Sequence, residues 1–122
     1  METLAGLKFS NYVTLKDYRG SLISLEGLKN IPFEIKRIFY IFGVPYDVMR
    51  GGHAHKKCHQ VFVAVSGTVS IWVNEVSCYH LNFPDLGLHV PPGHTVFMSH
   101  FSPDCILLVL ASEPYDPNDY IQ

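Results

Sequence analysis

The sequence predicts an all-β fold, an antiparallel β-sandwich or barrel built as one domain over residues 1–122. Three observations predict this fold. Short runs of aromatic and β-branched residues recur along the chain, and glycines and prolines stand between these runs. Helical periodicity is weak and confined to residues 25–30. The length of 122 residues suits a single domain with one core.

The predicted strands are short and are separated by recognisable turn residues. From the N-terminus to the C-terminus they cover residues 11–18, 22–25, 37–44, 60–66, 68–73, 88–90, 95–98 and 106–111. Pro45 follows the third strand, and the sequence PPG follows the sixth. The pair Ser66 and Gly67 predicts a tight turn, so we expect the fourth and fifth strands to form a hairpin.

The last predicted strand is apolar on both faces, since residues 106–110 read ILLVL. One face of an antiparallel sheet usually meets water and carries polar residues. A strand without that alternation is either central and buried within its own chain, or covered by a second subunit. The apolar runs of the whole chain favour a homodimer. Because the N-terminal segment is able to pair with a neighbour's sheet, we expect the dimer to exchange its N-terminal strands.

Composition and charge argue against several classes of function. A formal charge of −2 at pH 7 gives no basic surface of the kind that nucleic-acid binding requires. No apolar run approaches the roughly 20 residues of a membrane span, and the first residues lack the apolar core of a signal peptide. Cys58, Cys78 and Cys105 form no CxxC pair and are expected to be reduced thiols. We therefore expect a cytoplasmic protein that binds neither nucleic acid nor membrane.

Three of the seven histidines lie in one short segment, RGGHAHKKCHQ, residues 50–60. His53 and His55 are two residues apart, and in an extended chain that spacing places both side chains on one face. If that face is the interior of the sandwich, two imidazoles enter one pocket. A single histidine is more often a surface or core residue, but a pair that follows Arg-Gly-Gly favours a functional site.

Metal binding is the first chemistry that such a histidine pair indicates. The segment resembles the first cupin motif, with His53 and His55 as the pair and Gly67 at the motif's last position. Gln60 stands where the motif has glutamate, and in the second motif, PPGHTV, Val96 replaces the ligand histidine. Transition metals prefer sites with several imidazole or carboxylate donors. The sequence therefore disfavours a metal, and we expect no cofactor.

Proton transfer is the second chemistry that the pair indicates. A histidine takes and returns a proton near neutral pH, and two histidines on one face can serve adjacent atoms of a substrate. The chain carries no GxSxG motif, no P-loop and no GxGxxG motif. These features favour a cofactor-free isomerase over a hydrolase.

Four segments together carry a resemblance to a known family: KRIFYIF, RGGHAHKKCHQVFVAVSGTVSI, LGLHVPPG and LLVLASEPYDPNDYI. They resemble the WxcM/FdtA family of nucleotide-sugar 3,4-ketoisomerases, over residues 15–120. The resemblance implies a small dimeric cupin, an antiparallel β-sandwich of the jelly-roll type, that needs no metal. It also implies conversion of dTDP-4-keto-6-deoxyglucose to the 3-keto isomer, which supplies 3-amino-3,6-dideoxysugars for cell-surface glycans.

The resemblance assigns roles to individual residues. His53 and His55 match the family's active-site histidine pair. Tyr40 matches a tyrosine that lines the pocket, and Arg50 matches the arginine of the family's RGxHAH segment. These matches imply that His53, His55 and Tyr40 are catalytic and that Arg50 binds the substrate.

Arg37 and Gln60 complete the predicted substrate-binding residues. Two stretches depart from the family. The hairpin after Trp72 is shorter than in many relatives, and residues 95–97 read TVF where relatives commonly carry a large aromatic, a polar and an acidic residue. The second departure keeps open a second class of function, a non-catalytic cupin that binds a sugar nucleotide or a glycan. A metal-dependent cupin such as a dioxygenase is a third alternative, and it needs ligands that this sequence lacks.

Overall fold

β-Strands make up most of the regular structure in a computed structural model, which describes residues 2–9, 14–18 and 20–121. The strands are β1 Ala5–Lys8, β2 Thr14–Asp17, β3 Gly20–Ile23, β4 Arg37–Phe42, β5 Arg50–His55, β6 Gln60–Ser66, β7 Val69–Val73, β8 Ser77–Leu81, β9 Leu86–Val90, β10 Val96–Ser99, β11 Ile106–Ala111 and β12 Tyr120–Ile121. A 3-10 turn, Pro117–Asp119, precedes β12. Within these described ranges, no helix has the length and apolar character that a membrane crossing requires.

Ten of the strands form two antiparallel sheets that pack face to face. Sheet one has the order β1-β9-β6-β11-β4, and sheet two has the order β12-β5-β10-β7-β8. The remaining strands, β2 and β3, form a separate hairpin. The prediction of an all-β antiparallel sandwich is therefore confirmed.

The chain crosses between the two sheets at Gly67, where we had expected a hairpin. β6 pairs with β9 and β11 in sheet one, whereas β7 pairs with β8 and β10 in sheet two. Phe62 of β6 and Ile71 of β7 belong to the same buried cluster between the sheets. The hairpin prediction is wrong because these two apolar faces meet across the core instead of lying side by side in one sheet.

The outer face of sheet one is covered by the same chain. Ile31 and Phe33 pack against Val61 of β6 and Leu110 of β11, in a second buried cluster. β11 lies between β6 and β4, so it is a central strand. Of the two explanations for its apolar run, burial within its own chain is therefore the correct one for this strand.

The outer face of β4 is different, because its apolar side chains reach the surface. Burial alternates along this strand, with Phe39 and Ile41 facing inward and Ile38, Tyr40 and Phe42 facing outward. Phe42 is 65% exposed although it is a large aromatic residue. The homodimer stays a prediction, and this face is the surface that most favours it.

The N-terminal predictions are met in part. The predicted strand at residues 11–18 overlaps β2, while residues 10–13 lie outside the described residues. The predicted strand at residues 22–25 overlaps the end of β3. Four strands were not predicted: β1, β5, β8 and β12. The exchange of N-terminal strands between subunits stays a prediction.

Candidate active site

Two glycines shape the strand that carries the histidine pair. Gly51 and Gly52 of β5 both have positive φ, 97° and 94°. A Cβ atom on Gly51 would lie only 2.5 Å from the backbone oxygen of Val96. Opposite these glycines, the register of β10 shifts, with Val96 facing His53 and Phe97 facing Gly51. A bulge of this kind re-aims the side chains that follow it, and here those are the two histidines.

His53 and His55 point to the same side of β5, as their spacing predicts, and Tyr120 lies beside both. The centroid of the Tyr120 ring is 5.0 Å from that of His53 and 4.8 Å from that of His55. β12 pairs with β5 so that Tyr120 stands opposite His55. His53 is exposed, whereas the side chain of His55 is 12% exposed. One histidine is therefore at the mouth of the site and the other is deeper.

Both histidines line a cavity of about 270 Å³ between the two sheets. The cavity is lined by Phe39, Ile41, Arg50, Gly51, His53, His55, Gln60, Phe62, Val96, Met98 and Tyr120. The structure thus brings together four of the predicted site residues: the two histidines, Arg50 and Gln60. Gln60 is nearly buried, so its amide faces the cavity rather than bulk water.

The four positions that hold a metal in cupins converge on this cavity. They are occupied here by two imidazoles, the Gln60 amide and the Val96 side chain. Val96 offers no donor atom, and an amide is a weaker ligand than a carboxylate for a transition metal. These residues do not fit the metal of the cupin motif.

Asp119 holds His55 in place. The carboxylate, 4% exposed, accepts a hydrogen bond from the Nδ1 of His55 at 3.2 Å. It also accepts from the backbone N–H groups of Lys57 at 2.9 Å and Cys58 at 3.2 Å. A carboxylate with two backbone donors is fixed in orientation, and it keeps the proton of a neutral imidazole on Nδ1. The other ring nitrogen, Nε2, then carries the lone pair that can accept a proton.

The environment of His55 favours its neutral form. Burial of the ring lowers the pKa of His55 below the ordinary value of 6.5, and this is the largest effect. The hydrogen bond and the charge of Asp119 raise the pKa, while the charges of Arg37 and His53 lower it. The net result is a lowered pKa, so His55 is available as a base at neutral pH.

Arg37 lies close enough to His55 to affect its charge, although it does not line the cavity itself. Its guanidinium stacks over the ring of Phe39 at 5.1 Å and that of Tyr115 at 5.7 Å. The Nε atom is buried and has no hydrogen-bond partner among the described residues. A buried donor without a partner is costly, and a hydrogen-bond acceptor beside it, such as an anionic group, removes that cost.

Tyr40 does not reach the cavity, which corrects its predicted place in the site. Its side chain is 63% exposed on the outer face of β4 and stacks on Phe42, with ring centroids 6.0 Å apart. Phe39 and Ile41, one residue away on either side, line the cavity instead. Successive side chains of a strand point to opposite faces, so a one-residue offset moves a side chain out of the site.

The sequence patterns did not predict that Tyr120 lines the cavity or that Asp119 contacts His55. Asp119 ends the segment DPND, which forms a 3-10 turn, and Tyr120 follows it in β12. In this turn the side chain of Asp116 accepts a hydrogen bond from the N–H of Asn118 at 2.9 Å. An aspartate followed by proline is a recognisable start of such a turn. No local pattern, however, indicates that this turn meets residues 55–58.

The second stretch that departs from the family touches the site at alternate residues. Val96 and Met98 line the cavity, while Phe97 lies on the opposite face of β10 and packs toward Gly52. Only the second of the three altered positions therefore changes the cavity wall.

His59 is the third histidine of the segment and takes no part in the cavity. Its Nδ1 atom lies 3.0 Å from the Nε2 of His89, and both rings lie near Phe33 on the outer face of sheet one. His59 lies between the end of β5 in sheet two and the start of β6 in sheet one, and its ring is on the outer face of sheet one, away from the histidine pair.

Comparison with known proteins gives one family match and close relatives. Residues 5–122 match the family FdtA, described as WxcM-like, C-terminal. The chain is 42% identical, over 118 residues, to a TDP-4-oxo-6-deoxy-alpha-D-glucose-3,4-oxoisomerase of Aneurinibacillus thermoaerophilus. The match covers 94% of this chain and 85% of that protein.

Solved structures resemble this fold over almost its whole length. One is a mutant of the 3,4-ketoisomerase QdtA from Thermoanaerobacterium thermosaccharolyticum, with a histidine replaced by asparagine, in complex with TDP-4-keto-6-deoxyglucose. It is 41% identical with a TM-score of 0.92, and the match covers 99% of this chain and 88% of that one. Another is the WlaRB TDP-quinovose 3,4-ketoisomerase from Campylobacter jejuni, 40% identical with a TM-score of 0.90, over 99% and 93% of the two chains.

Proposed function

This chain belongs to the FdtA family of WxcM-like, C-terminal domains, and we propose that it is a 3,4-ketoisomerase of dTDP-4-keto-6-deoxyglucose. The observation that carries the proposal is a cavity between the sheets in which His53, His55 and Tyr120 face one small volume. The high identity to a TDP-4-oxo-6-deoxy-alpha-D-glucose-3,4-oxoisomerase supports the choice of substrate.

The reaction moves a ketone between neighbouring carbons, and it needs only proton transfers. The proton on C3 is acidic because C3 is next to the C4 ketone. A base removes this proton while the C4 oxygen is protonated, which gives an enediol. Protonation of C4 and loss of the proton from the C3 oxygen then leave the ketone at C3. No electron acceptor and no metal ion are required for this sequence.

His55 is the base at carbon in this proposal. Its pKa is lowered mainly by burial, so the ring is neutral at pH 7 and able to accept the C3 proton. The hydrogen bond from its Nδ1 to Asp119 leaves Nε2 as the accepting atom. The charge of Asp119 also stabilises the imidazolium that forms in the transition state.

His53 and Tyr120 serve the two oxygens. The ring of Tyr120 lies beside both histidines, and His53 is at the exposed mouth of the site, where it can exchange protons with water. The phenol of Tyr120 takes the role that the sequence had assigned to Tyr40, since it is the tyrosine that lines the cavity. General acid–base groups of this kind contribute about 10²–10⁴-fold each.

The two arginines bind the diphosphate of the nucleotide. Arg50 lines the cavity at its exposed end, and Arg37 holds a buried Nε without a partner among the described residues. Arginine forms paired hydrogen bonds with phosphate oxygens, so this placement suits the anionic part of the substrate. Gln60 offers a neutral amide to a sugar hydroxyl.

The 3-keto product is a substrate for amination at C3, so we place the enzyme before an aminotransfer step that leads to 3-amino-3,6-dideoxysugars of surface glycans.

The deciding experiment follows dTDP-4-keto-6-deoxyglucose by NMR in D₂O with purified protein. We expect the 3-keto isomer, with deuterium at C4, because the enediol is reprotonated from an imidazole that exchanges with solvent. Complete retention of the substrate proton at C4 would instead mean that His55 returns the proton it removed before that proton exchanges with solvent.

The same sample separates catalysis from binding alone. If the substrate binds, as seen in line broadening of the thymidine signals, and no 3-keto isomer forms, the protein is a non-catalytic sugar-nucleotide cupin. If neither binding nor conversion occurs, the proposed substrate is wrong.

A further inference from the structure

The candidate base, His55, forms a cluster of three potential metal ligands with Cys58 and Asp119. The proposed reaction does not use Cys58. The ligand atoms of His55, Cys58 and Asp119 lie within 4.8 Å of one another, and Cys58 and Asp119 are buried. We propose that these three residues bind a thiophilic divalent cation, Zn²⁺ or Cd²⁺, and that the bound ion inhibits the enzyme. The binding site stands on geometry alone, whereas the inhibition rests on the proposed isomerase function.

The spacing of the donors suits a tetrahedral ion. The Nδ1 of His55 and the Oδ2 of Asp119 are 3.2 Å apart. Two ligands at about 2.0–2.1 Å from a tetrahedral Zn²⁺ are separated by about 3.3 Å. The ion therefore replaces the proton that the two atoms now share, with little movement of either. The sulfur of Cys58 completes the set by turning away from the backbone oxygen of His59, to which it now donates at 3.3 Å.

The carboxylate is already oriented for this role. The backbone N–H groups of Lys57 and Cys58 both donate to Asp119 and fix its position. Outer hydrogen bonds of this kind hold metal ligands in place in natural sites. Cysteine, histidine and aspartate are all common Zn²⁺ ligands, and a thiolate selects for thiophilic ions over Mg²⁺ and Ca²⁺.

A second cleft, which shares no lining residue with the substrate cavity, reaches the cluster at Asp119. Lys57 and Asp119 line this cleft of about 340 Å³, together with Glu113, Tyr115 and Asp116. The cleft is lined by three carboxylates, of Glu113, Asp116 and Asp119, and by one ammonium group, of Lys57, so its charge is negative on balance and attracts cations. The cluster thus lies between this cleft and the substrate cavity, which it reaches through His55.

Binding changes the tautomer of His55, and this is how the ion inhibits. When the ion takes Nδ1, the ring proton moves to Nε2, and the thiol proton of Cys58 is released to water. No atom changes its oxidation state. A protonated Nε2 cannot accept the C3 proton, so the base is blocked while the substrate cavity stays open. This site differs from the cupin metal site, whose other positions are His53, Gln60 and Val96.

The test is a titration of the EDTA-treated protein with Cd²⁺, followed by sulfur-to-metal charge-transfer absorption in the ultraviolet. The wild type should give a saturable band at one Cd²⁺ per chain. Cys58→Ala should lose the band. Cys78→Ala is the matched control and should keep it, because Cys78 is the other thiol near a histidine, with its sulfur 4.0 Å from the Nε2 of His80. Burial and Asp104 raise the pKa of Cys105 to about 11, which disfavours its thiolate.

Activity provides the second readout. Cys58→Ala should keep its activity in EDTA and should need at least about 100-fold more Cd²⁺ for half-inhibition, since even an outer partner is worth about 10–100-fold in metal affinity. A band that survives Cys58→Ala, or one that is lost in Cys78→Ala, overturns the site. Equal inhibition of wild type and Cys58→Ala overturns the regulatory role. Failure of the isomerase proposal would appear separately, as a normal Cd²⁺ band in a protein without ketoisomerase activity.

Discussion

At the scale of single residues, Asp119 holds the tautomer of His55, while burial lowers the pKa of His55 and Asp119 partly offsets that effect. A base is active only in its neutral form, which predominates above its pKa. Since the pKa of His55 is lowered mainly by burial, kcat/KM should stay constant down to a pH below 6.5 and decline only below that value. The pH profile of kcat/KM measures this directly, and a decline that begins above pH 7 would contradict the assignment of His55.

The variant Asp119→Asn tests the same pair from the other side. The aspartate raises the pKa of His55, so its removal should move the acidic limb of the profile to still lower pH. The plateau should also fall, by about 10²–10⁴-fold, because the tautomer is no longer held. A merely structural role for Asp119 would lower the plateau without moving the limb.

The two histidines are expected to be catalytic rather than structural. His53→Asn and His55→Asn retain size and hydrogen-bonding capacity but lose basicity, so each should lower kcat by about 10²–10⁴-fold. Both variants should still bind dTDP, as measured by calorimetry, and should unfold at the same urea concentration as the wild type. Substitution of His59, which lies on the outer face of sheet one, is the matched control and should leave turnover unchanged. Full activity in both Asn variants would end the proposal.

At the scale of elements, the bulge of β5 decides where the histidines point. Gly51→Ala would place a Cβ 2.5 Å from the backbone oxygen of Val96 and force a strained φ. Strain of this kind costs about 1–3 kcal/mol, so the midpoint of urea unfolding should fall. Turnover should fall as well, because His53 follows the bulge directly.

Gly6→Ala, in β1, is the control for the Gly51→Ala substitution, since a Cβ on Gly6 has nothing within 4 Å and the φ of Gly6 is not positive. We expect Gly6→Ala to be neutral or slightly stabilising, by up to about 1 kcal/mol. Equal unfolding midpoints for Gly51→Ala and Gly6→Ala would show that the bulge in β5 does not require glycine at position 51.

At the scale of the whole molecule, the outer face of β4 predicts association. Ile38, Tyr40 and Phe42 form an exposed apolar row on a strand at the edge of sheet one. Exposed apolar rows and free sheet edges are typical of surfaces that another chain covers. We therefore expect a stable dimer at micromolar concentration in sedimentation, and a monomer there would contradict this prediction.

Phe42→Asp locates the dimer contact if one forms. Replacing a hot-spot residue of an interface costs about 2 kcal/mol or more of binding free energy, so Phe42→Asp should raise the dissociation constant of the dimer by about 30-fold or more. Val76→Asp is the control, because Val76 is 82% exposed in the turn between β7 and β8, away from β4. Equal weakening by both variants would indicate a general effect of charge.

The sequence by itself determined the features that depend on neighbouring residues. Alternating and apolar runs between glycines and prolines were sufficient for an all-β sandwich, because strand periodicity is local. The two-residue spacing of His53 and His55 was sufficient to place both on one face, for the same reason. The first cupin motif also includes Gln60, and all three residues line the same cavity.

Only the tertiary structure decided the features that depend on register and on distant contacts. Asp119 meets His55 across 64 residues of sequence. Tyr40 lies outside the cavity because successive side chains of a strand point to opposite faces. Tyr120 lines the cavity because β12 pairs with β5, which is a contact between distant segments. Gly67 joins two sheets rather than two strands of a hairpin, because the apolar faces of β6 and β7 are buried only when they oppose each other. Such contacts are set by the packing of the whole chain, which no short segment contains.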